Sequence, residues 1–287
     1  MKLFSLEADM FKLDGGAMFG VVPKTIWQRT NPSDSQNRID ISATSLLIEL
    51  GNRLILIDTG MGDKQSEKFY QHFDRVGGSN LVKAIRAHGF SEQEVTDVFL
   101  THLHFDHVGG ATIRDQKNRI LPTFINATYW SNQEHWDWAV VHPNPREKAS
   151  FLEENLIPLK KSSQLRFIDQ TSENYTKCSQ LPFSIIFANG HTEKQMLPMI
   201  EYQGKTLVFM ADLLPTIGHI PLPYIMSYDT RPLITLAEKE VFLKKAAQNN
   251  WYLFLQHDAR NQIITVKETE KGVRLDKTFI FNDLFNH

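Results

Sequence analysis

The sequence predicts an α/β fold, and three observations carry that prediction. Short apolar segments recur in both halves of the 287-residue chain, helical patterns lie between them, and metal-ligand residue types follow several of the apolar segments directly. The hydrophobic content of 41% is ordinary for a globular protein. Strand patterns in both halves fit one layered domain over residues 1–287 better than two independent domains.

The first half of the chain predicts an alternation of strands and helices. Residues 43–49 and 53–57 form a hairpin that ends in the turn Asp58-Thr59-Gly60. A helix begins near Leu81 and stops at Gly89, and residues 95–100 form the next strand.

The middle and second half continue this organisation. Residues from about 130 to 161 interleave tryptophans with prolines and predict a helical insertion. Short apolar strands then resume at residues 183–187, 196–202, 206–210 and 251–255, with an amphipathic helix over residues 233–249.

The segment that follows the strand at 95–100 concentrates metal-ligand residues. It supplies His102, His104, Asp106 and His107 within six residues, and Gly109-Gly110 then lets backbone pass close to the cluster. Residues two apart on an extended segment point the same way, so His102 and His104 can bind one ion while Asp106 and His107 face elsewhere. This density of ligand types indicates a metal site.

Three further candidate ligands, His191, Asp212 and His257, each follow an apolar strand in the second half. Ligands at the carboxyl ends of strands converge on one edge of a sheet. Seven side chains are more than one catalytic zinc ion binds, because such an ion takes about three protein ligands plus water. If Asp212 bridges, one ion takes His102, His104 and His191, and the other takes Asp106, His107 and His257.

Composition limits the partners. The chain has 31 Lys and Arg against 33 Asp and Glu, and no run of like charge stands out, so nucleic acid and membrane surfaces are not expected partners. A small-molecule substrate is expected. One cysteine, an N-terminus with early acidic residues, and no apolar stretch of roughly 18 residues together predict a cytoplasmic protein without a signal or membrane helix.

The ligand pattern resembles the metallo-β-lactamase-fold hydrolases, whose His-x-His-x-Asp-His signature is met at residues 102–107 and whose later ligands are matched by His191, Asp212 and His257. The resemblance implies an αββα sandwich of two mixed β-sheets flanked by helices. It also implies that Asp58 braces the ligand loop, and it makes a homodimer an expectation. Five imidazoles and two carboxylates suit two divalent ions, with zinc as the default and iron, manganese or cobalt also acceptable.

The resemblance narrows to the YtnP-like, N-acyl-homoserine lactonase-like branch of quorum-quenching hydrolases. The segments at residues 14–24, 101–110, 142–144 and 210–216 carry it. Asp212 at the bridging position is similar to the lactonases and unlike the zinc β-lactamases that use cysteine there. Two positions depart from lactonases: Gln195 replaces a non-ligand histidine, and Pro215 replaces a tyrosine. Tyr224 and Tyr228 are candidates to replace that tyrosine, although a packing role is the preferred expectation for both.

The resulting prediction is a dinuclear hydrolase that opens a lactone ester by attack of a metal-bridging hydroxide. Asp106 would pass the proton, and His219 would support the metal ligands as a hydrogen-bond donor. An apolar groove for an acyl tail would use five large apolar side chains, Met18, Phe19, Trp136, Trp138 and Phe151.

Two alternatives stay open. The same centre would serve a phosphotriester or another ester equally well. From a different class, a di-iron pair could act as a redox or sensing module without hydrolysis. His72, His88, His135 and His287 show no partner pattern and receive no role.

Overall fold

The computed structural model describes residues 1–75 and 77–285, and His287 therefore lies outside the described residues. Within them the chain forms two compact units. The first unit comprises Met1–Phe11 and Ser42–Asp169, and the second comprises Lys12–Ile41 and the residues from Gln170 onward. The organisation as one domain, with a helical insertion near residues 130–161, stays a prediction.

The strands of the described chain are β1 Lys2–Asp14, β2 Arg38–Leu50, β3 Arg53–Ile57, β4 Asp97–Phe99, β5 Thr112–Arg114, β6 Ile120–Pro122, β7 Thr128–Ser131, β8 Leu165–Phe167, β9 Tyr175–Lys177, β10 Ser184–Ala188, β11 Gln195–Tyr202, β12 Lys205–Phe209, β13 Tyr252–Phe254, β14 Ile263–Thr269 and β15 Gly272–Phe279. The α-helices are α1 Gly15–Phe19, α2 Lys24–Trp27, α3 Glu67–His72, α4 Leu81–Ala87, α5 Phe105–Val108, α6 Gln133–Trp136, α7 Glu153–Lys161, α8 Pro232–Gln248 and α9 Phe281–Leu284. A π-helical turn spans Asp137–Val141, and 3₁₀ turns span Gly109–Ala111, Lys148–Ser150 and Ile217–His219.

The sheet of the first unit is mixed. Among the described residues its strand order is β1-β2-β3-β4-β7-β8, with β2 and β3 antiparallel and the pairs from β3 to β8 parallel. Because β3 and β4 run in the same direction, the residues that follow them meet at one edge of the sheet. The backbone N–H of Asp58, just past β3, donates to the carbonyl of Phe99 at 2.9 Å.

The core of the first unit lies under this sheet. Apolar side chains of the strands, including Leu47, Leu56 and Val98, pack with Ile85 of α4 and Leu156 of α7, and all five are almost fully buried. Burial of these apolar residues anchors the strands just before the sheet edge at which the candidate ligands lie.

The sheet of the second unit is also mixed. Its described strands follow the order β15-β14-β13-β12-β11-β10-β9, and β12 and β13 pair in parallel while the neighbouring pairs are antiparallel. Strand β10 is antiparallel to β11, which is antiparallel to β12, so β10, β12 and β13 share one direction. The residues that follow these three strands therefore emerge at the same edge.

The predicted α/β class, with two mixed sheets and helices, is confirmed. Strand β1 was not predicted, because its buried residues, such as Leu6 and Ala8, do not alternate strictly with exposed ones. Residues 15–19, for which no element was predicted, form α1, whose first turn is capped by the Asp14 carboxylate accepting from the Ala17 N–H. Within residues 1–75 and 77–285, no helix is both long and apolar enough to cross a bilayer.

Candidate metal centre

The first unit brings its four predicted ligands together. His102 and His104 lie on extended backbone after β4, and Asp106 and His107 lie on α5; all four are buried. The Nε2 atom of His102 is 3.1 Å from Nδ1 of His104. The ring of His107 lies 3.9 Å from that of His102, and its Nε2 is 3.8 Å from an oxygen of Asp106. The predicted cluster is therefore one compact group.

Asp58 determines how two of these imidazoles are oriented. Its carboxylate accepts from the Thr101 N–H at 2.8 Å, from the Thr101 hydroxyl at 2.7 Å and from Nδ1 of His107 at 2.9 Å. Since the Thr101 proton is used on Asp58, its oxygen accepts from Nδ1 of His102 at 3.2 Å. Both rings thus carry hydrogen on Nδ1 and present the Nε2 lone pair to a ligand.

The backbone next to the ligands is packed too closely for side chains. A Cβ on Gly109 would lie 2.1 Å from the Met61 carbonyl oxygen, and one on Gly110 would lie 2.2 Å from that of Thr59. The buried Lys64 amine donates to the carbonyls of Gly109 and Thr112. The segment that follows β3 therefore holds the ligand segment in place through direct backbone contact.

The second unit brings its three predicted ligands together around one carboxylate. One oxygen of Asp212 lies 3.1 Å from Nε2 of His191, and the other lies 3.0 Å from Nε2 of His257. Nδ1 of His191 lies 2.8 Å from the buried carboxylate of Asp229. The Asp212 N–H donates to the Gln195 side-chain oxygen at 3.1 Å, so the residue that departs from the lactonase pattern fixes the backbone of this ligand.

These contacts fit a bound cation. With hydrogen on Nδ1 toward Asp229, a neutral His191 would direct its Nε2 lone pair at an oxygen of Asp212 that also carries lone pairs. Two acceptors at such a distance repel each other unless a proton or a cation lies beside them. Buried imidazoles and carboxylates are the donors that zinc and similar divalent ions prefer.

His219 is fully buried in the second unit and has both ring nitrogens engaged. Nδ1 contacts the Thr216 hydroxyl and Nε2 contacts the Met18 carbonyl, each at 2.8 Å. Burial lowers the pKa of His219 to about 3, so the ring is neutral and donates to Met18. Its predicted support of the metal ligands stays a prediction, and the hydrogen bonds that it makes hold α1.

The predicted groove residues are placed as follows. Met18 and Phe19 are buried in α1, and the Phe19 ring stacks on His219 with centroids 4.3 Å apart. Trp136 and Phe151 are buried in the core of the first unit, and Phe151 lies 5.0 Å from the ring of His104. Their role toward a substrate stays a prediction.

Three buried residues around the ligands were missed by the sequence analysis: Asp229, Glu147 and His135. Glu147 contacts His104, and Nε2 of His135 accepts from the N–H of Leu103 at 2.9 Å. All three lie in irregular or short helical segments, so no strand-end position or spacing distinguishes them in the sequence. His135, to which no role was assigned, thus contacts the backbone between two ligands.

A sequence model of the metallo-beta-lactamase superfamily matches residues 39–257, which include every predicted ligand. The chain belongs to this superfamily. The superfamily comprises metal-dependent hydrolases, which use divalent metals, typically zinc.

Curated relatives support a lactonase likeness over part of this superfamily member. The N-acyl homoserine lactonase AiiB of Agrobacterium fabrum is 30% identical over 117 residues, which cover 38% of this chain and 42% of that protein. The AiiB protein of Rhizobium rhizogenes is 31% identical over the same shares. The chain thus matches less than half of the length of these relatives.

Solved structures of the superfamily match nearly the whole chain. A probable metal-dependent hydrolase from Staphylococcus aureus is 26% identical and has a TM-score of 0.83, over 97% of this chain and 98% of that one. AidC, described as a dizinc quorum-quenching lactonase, is 24% identical with a TM-score of 0.75, over 97% of this chain and 95% of that one. At that identity the AidC likeness shows the fold alone.

Proposed function

We propose that this superfamily member is a dinuclear lactonase that opens lactones of the N-acyl-homoserine type. The observation that carries the proposal is the Asp212 carboxylate, whose two oxygens face two different imidazoles at 3.1 and 3.0 Å. A carboxylate shared in this way has the arrangement of a ligand that bridges two ions. A ligand set of this kind leaves room for water beside the ions, whereas a structural zinc site is closed.

The proposed ligand sets follow the sequence argument. One ion takes His102, His104 and His191, the other takes Asp106, His107 and His257, and Asp212 bridges. Support comes from the hydrogen bonds inside each unit, which leave Nε2 of His102, His107 and His191 free of hydrogen. Zinc is the proposed metal because imidazole and carboxylate donors suit it and because members of the superfamily typically use it.

The ions, when bound, lower the pKa of coordinated water toward neutrality and polarise the ester carbonyl. The chain supplies the rest. Asp106, a carboxylate with a side chain 13% exposed, is the proposed carrier of the proton that the leaving alkoxide takes up. The apolar side chains of α1 and of the segment near residue 136 are the proposed wall for the acyl tail.

The choice of a lactone rests on two supports. Asp212 occupies the bridging position, where the zinc β-lactamases carry cysteine, and the curated relatives that match are named lactonases. The remaining proposals concern partners, oligomeric state and location. They are a small-molecule substrate, no nucleic-acid or membrane partner, a homodimer, and a cytoplasmic location.

The test is ring opening of a long-chain N-acyl-homoserine lactone by zinc-loaded protein, followed as acid release. Turnover should vanish in Asp212→Ala and persist in Asp40→Asn, a matched aspartate control with a side chain 51% exposed. Two bound ions per chain without lactone turnover would refute the lactone proposal. Hydrolysis of a phosphotriester or an aryl ester by that protein would then identify the alternative reaction.

A separate variant tests the proton carrier. Asp106→Asn should lower the maximal rate of ring opening while the protein keeps its fold, because the amide cannot carry the proton. An Asp106→Asn enzyme with both metals and full turnover would exclude this role for Asp106.

A further inference from the structure

Glu147 is a buried carboxylate, 4% exposed, in the segment between α6 and α7. In the described chain it accepts hydrogen bonds from three side chains. One oxygen contacts Nε2 of His104 at 2.9 Å, and the other accepts from the indole N–H of Trp138 at 2.7 Å and from the Asn144 amide at 2.9 Å. A carboxylate is buried at a high cost unless donors compensate it, and these donors do so.

The backbone holds this carboxylate in a fixed position. The Glu147 N–H donates to the Asn144 carbonyl at 3.1 Å, and Trp138 belongs to the π-helical turn Asp137–Val141. Since two neighbours bind the second oxygen, they hold the first oxygen at hydrogen-bond distance from His104. The carboxylate therefore acts on the imidazole as a fixed acceptor.

The acceptor decides which nitrogen of His104 carries hydrogen. The 2.9 Å contact places a carboxylate oxygen beside Nε2 of His104, which favours hydrogen on that nitrogen and leaves the Nδ1 lone pair for a ligand. That lone pair faces Nε2 of His102 at 3.1 Å, whose own hydrogen is on the nitrogen that contacts Thr101. Two lone pairs converge on one point, which is the arrangement for a shared cation.

The same segment also fixes the backbone between the two ligands. The ring of His135 accepts from the Leu103 N–H, and the ring of Phe151 packs on that of His104. Three contacts from residues 135–151 thus reach the His102-Leu103-His104 segment. Residues 135–151 therefore position the His102-Leu103-His104 segment as well as covering the core.

We propose that Glu147, held by Trp138 and Asn144, is a positioning residue that sets the tautomer of His104. By doing so it strengthens the binding of one of the two ions and not of the other. The ion concerned is the one assigned to His102 and His104. This inference rests on the proposed dinuclear centre, and it assigns a role to Glu147, for which no role was predicted from the sequence.

The variant Glu147→Gln removes the charge while it keeps the shape of the side chain. Its single carbonyl oxygen serves either His104 or the Trp138 and Asn144 donors, and its NH₂ group then faces donors on the other side. His104 loses its acceptor or shifts its hydrogen to Nδ1. Loss of such a partner weakens metal binding by roughly 10- to 100-fold, and here the weakening falls on one ion.

The experiment is a chelator titration of the zinc-loaded protein, with metal content measured at each step. In Glu147→Gln one equivalent of zinc should be released at a chelator concentration roughly 10- to 100-fold lower than in the wild type. The other equivalent of zinc should be released at the same chelator concentration as in the wild type. Trp138→Phe, which keeps the ring and removes the N–H, should move the same equivalent by less. Glu153→Gln, an exposed glutamate in α7, is the matched control and should move neither.

A second readout separates positioning from general damage. The ¹⁵N shifts of His104 in the metal-free protein should report hydrogen on Nε2 in the wild type and lose that signature in Glu147→Gln. Equal weakening of both ions, or an unchanged titration with an unchanged tautomer, would overturn the assignment. Wild-type protein that binds two ions but opens no lactone contradicts the proposed substrate alone, because the titration decides the role of Glu147 independently.

Discussion

Replacing Asp58 by asparagine tests the hydrogen bonds that orient the ligands of the first unit. The side chain is fully buried and accepts from three donors of Thr101 and His107 at 2.7 to 2.9 Å. Asparagine has the same shape but offers one carbonyl oxygen, and its NH₂ group must face one side of this set of donors. The carbonyl is best used on the Thr101 N–H, so Nδ1–H of His107 then meets another donor.

The size of the effect follows from that conflict. Loss of one buried hydrogen bond to a charged group costs about 1.5 to 3 kcal/mol of unfolding free energy. If His107 instead moves its hydrogen to Nε2, the ligand lone pair is blocked and metal affinity falls roughly 10- to 100-fold. Such a fall equals about 1.4 to 2.8 kcal/mol, so both outcomes are of similar size.

The assay has two parts, urea unfolding of the metal-free protein and competition for zinc with a chelator. Asp58→Asn should lose stability, affinity or both in the amounts given, and Asp40→Asn should change unfolding by less than about 0.5 kcal/mol. Asp40 is a fair comparison because its half-exposed carboxylate pairs with Lys12 at 3.6 Å on the protein surface. Unchanged unfolding together with unchanged zinc affinity in Asp58→Asn would refute the orienting role.

Three further predictions concern the ligand segment and the metals. Gly109→Ala should destabilise the protein by about 1 to 3 kcal/mol, because the new Cβ would overlap the Met61 carbonyl; thermal unfolding of metal-free protein measures this, and an unchanged midpoint would contradict it. Burial lowers the pKa of Lys64 to about 7, so the unfolded chain binds more protons between pH 7 and 10.5 and stability should rise with pH there. The rise is at most about 1.4 kcal/mol per pH unit, and urea unfolding at two pH values should show a shallower rise in Lys64→Met; equal slopes would argue against it. Removal of zinc should lower the melting temperature, by an amount equivalent to about 4 kcal/mol when zinc had been present at 1,000 times its dissociation constant, and calorimetry with and without chelator checks this.

The lowered pKa of Lys64 is consistent with its contacts. A neutral amine has two N–H donors, and the structure gives it two carbonyl acceptors, those of Gly109 and Thr112. An ammonium would have a third donor to satisfy in a side chain that is 6% exposed as a residue. The lysine therefore fixes the ligand segment by hydrogen bonds without adding a full charge beside the proposed cations.

Strand direction predicts from the sequence where two of the candidate ligands lie. Asp212 and His257 follow the parallel strands β12 and β13, whereas Asp58, which follows β3, was expected only from the family resemblance. An apolar run that ends in a ligand-type residue is visible in one sequence, and parallel direction then brings such residues to one edge. The short helix α1 was invisible for the opposite reason, since Gly15 and Gly16 favour a loop and the capping contact of Asp14 decides otherwise.

The orienting carboxylates could not be found in this way. Glu147 lies 43 residues from His104, and Asp229 lies 38 residues from His191, each in a segment without periodic pattern. An acidic residue in such a segment is usually solvated, and its burial against an imidazole depends on packing that single-sequence reasoning does not determine. The candidate metal ligands are thus predictable from local sequence, whereas the groups beside them are brought there by the folded chain.

This division has a consequence for how the site assembles. Asp58, Glu147 and Asp229 each lie within hydrogen-bond distance of a different imidazole. A carboxylate in that place favours the tautomer that presents a ligand lone pair, so less of the free energy of metal binding is spent on choosing the tautomer. Removal of one such carboxylate should accordingly appear first as weaker binding of the ion that its imidazole holds. The catalytic rate of the fully loaded enzyme should change less, because the orienting groups touch neither the substrate nor the reacting atoms.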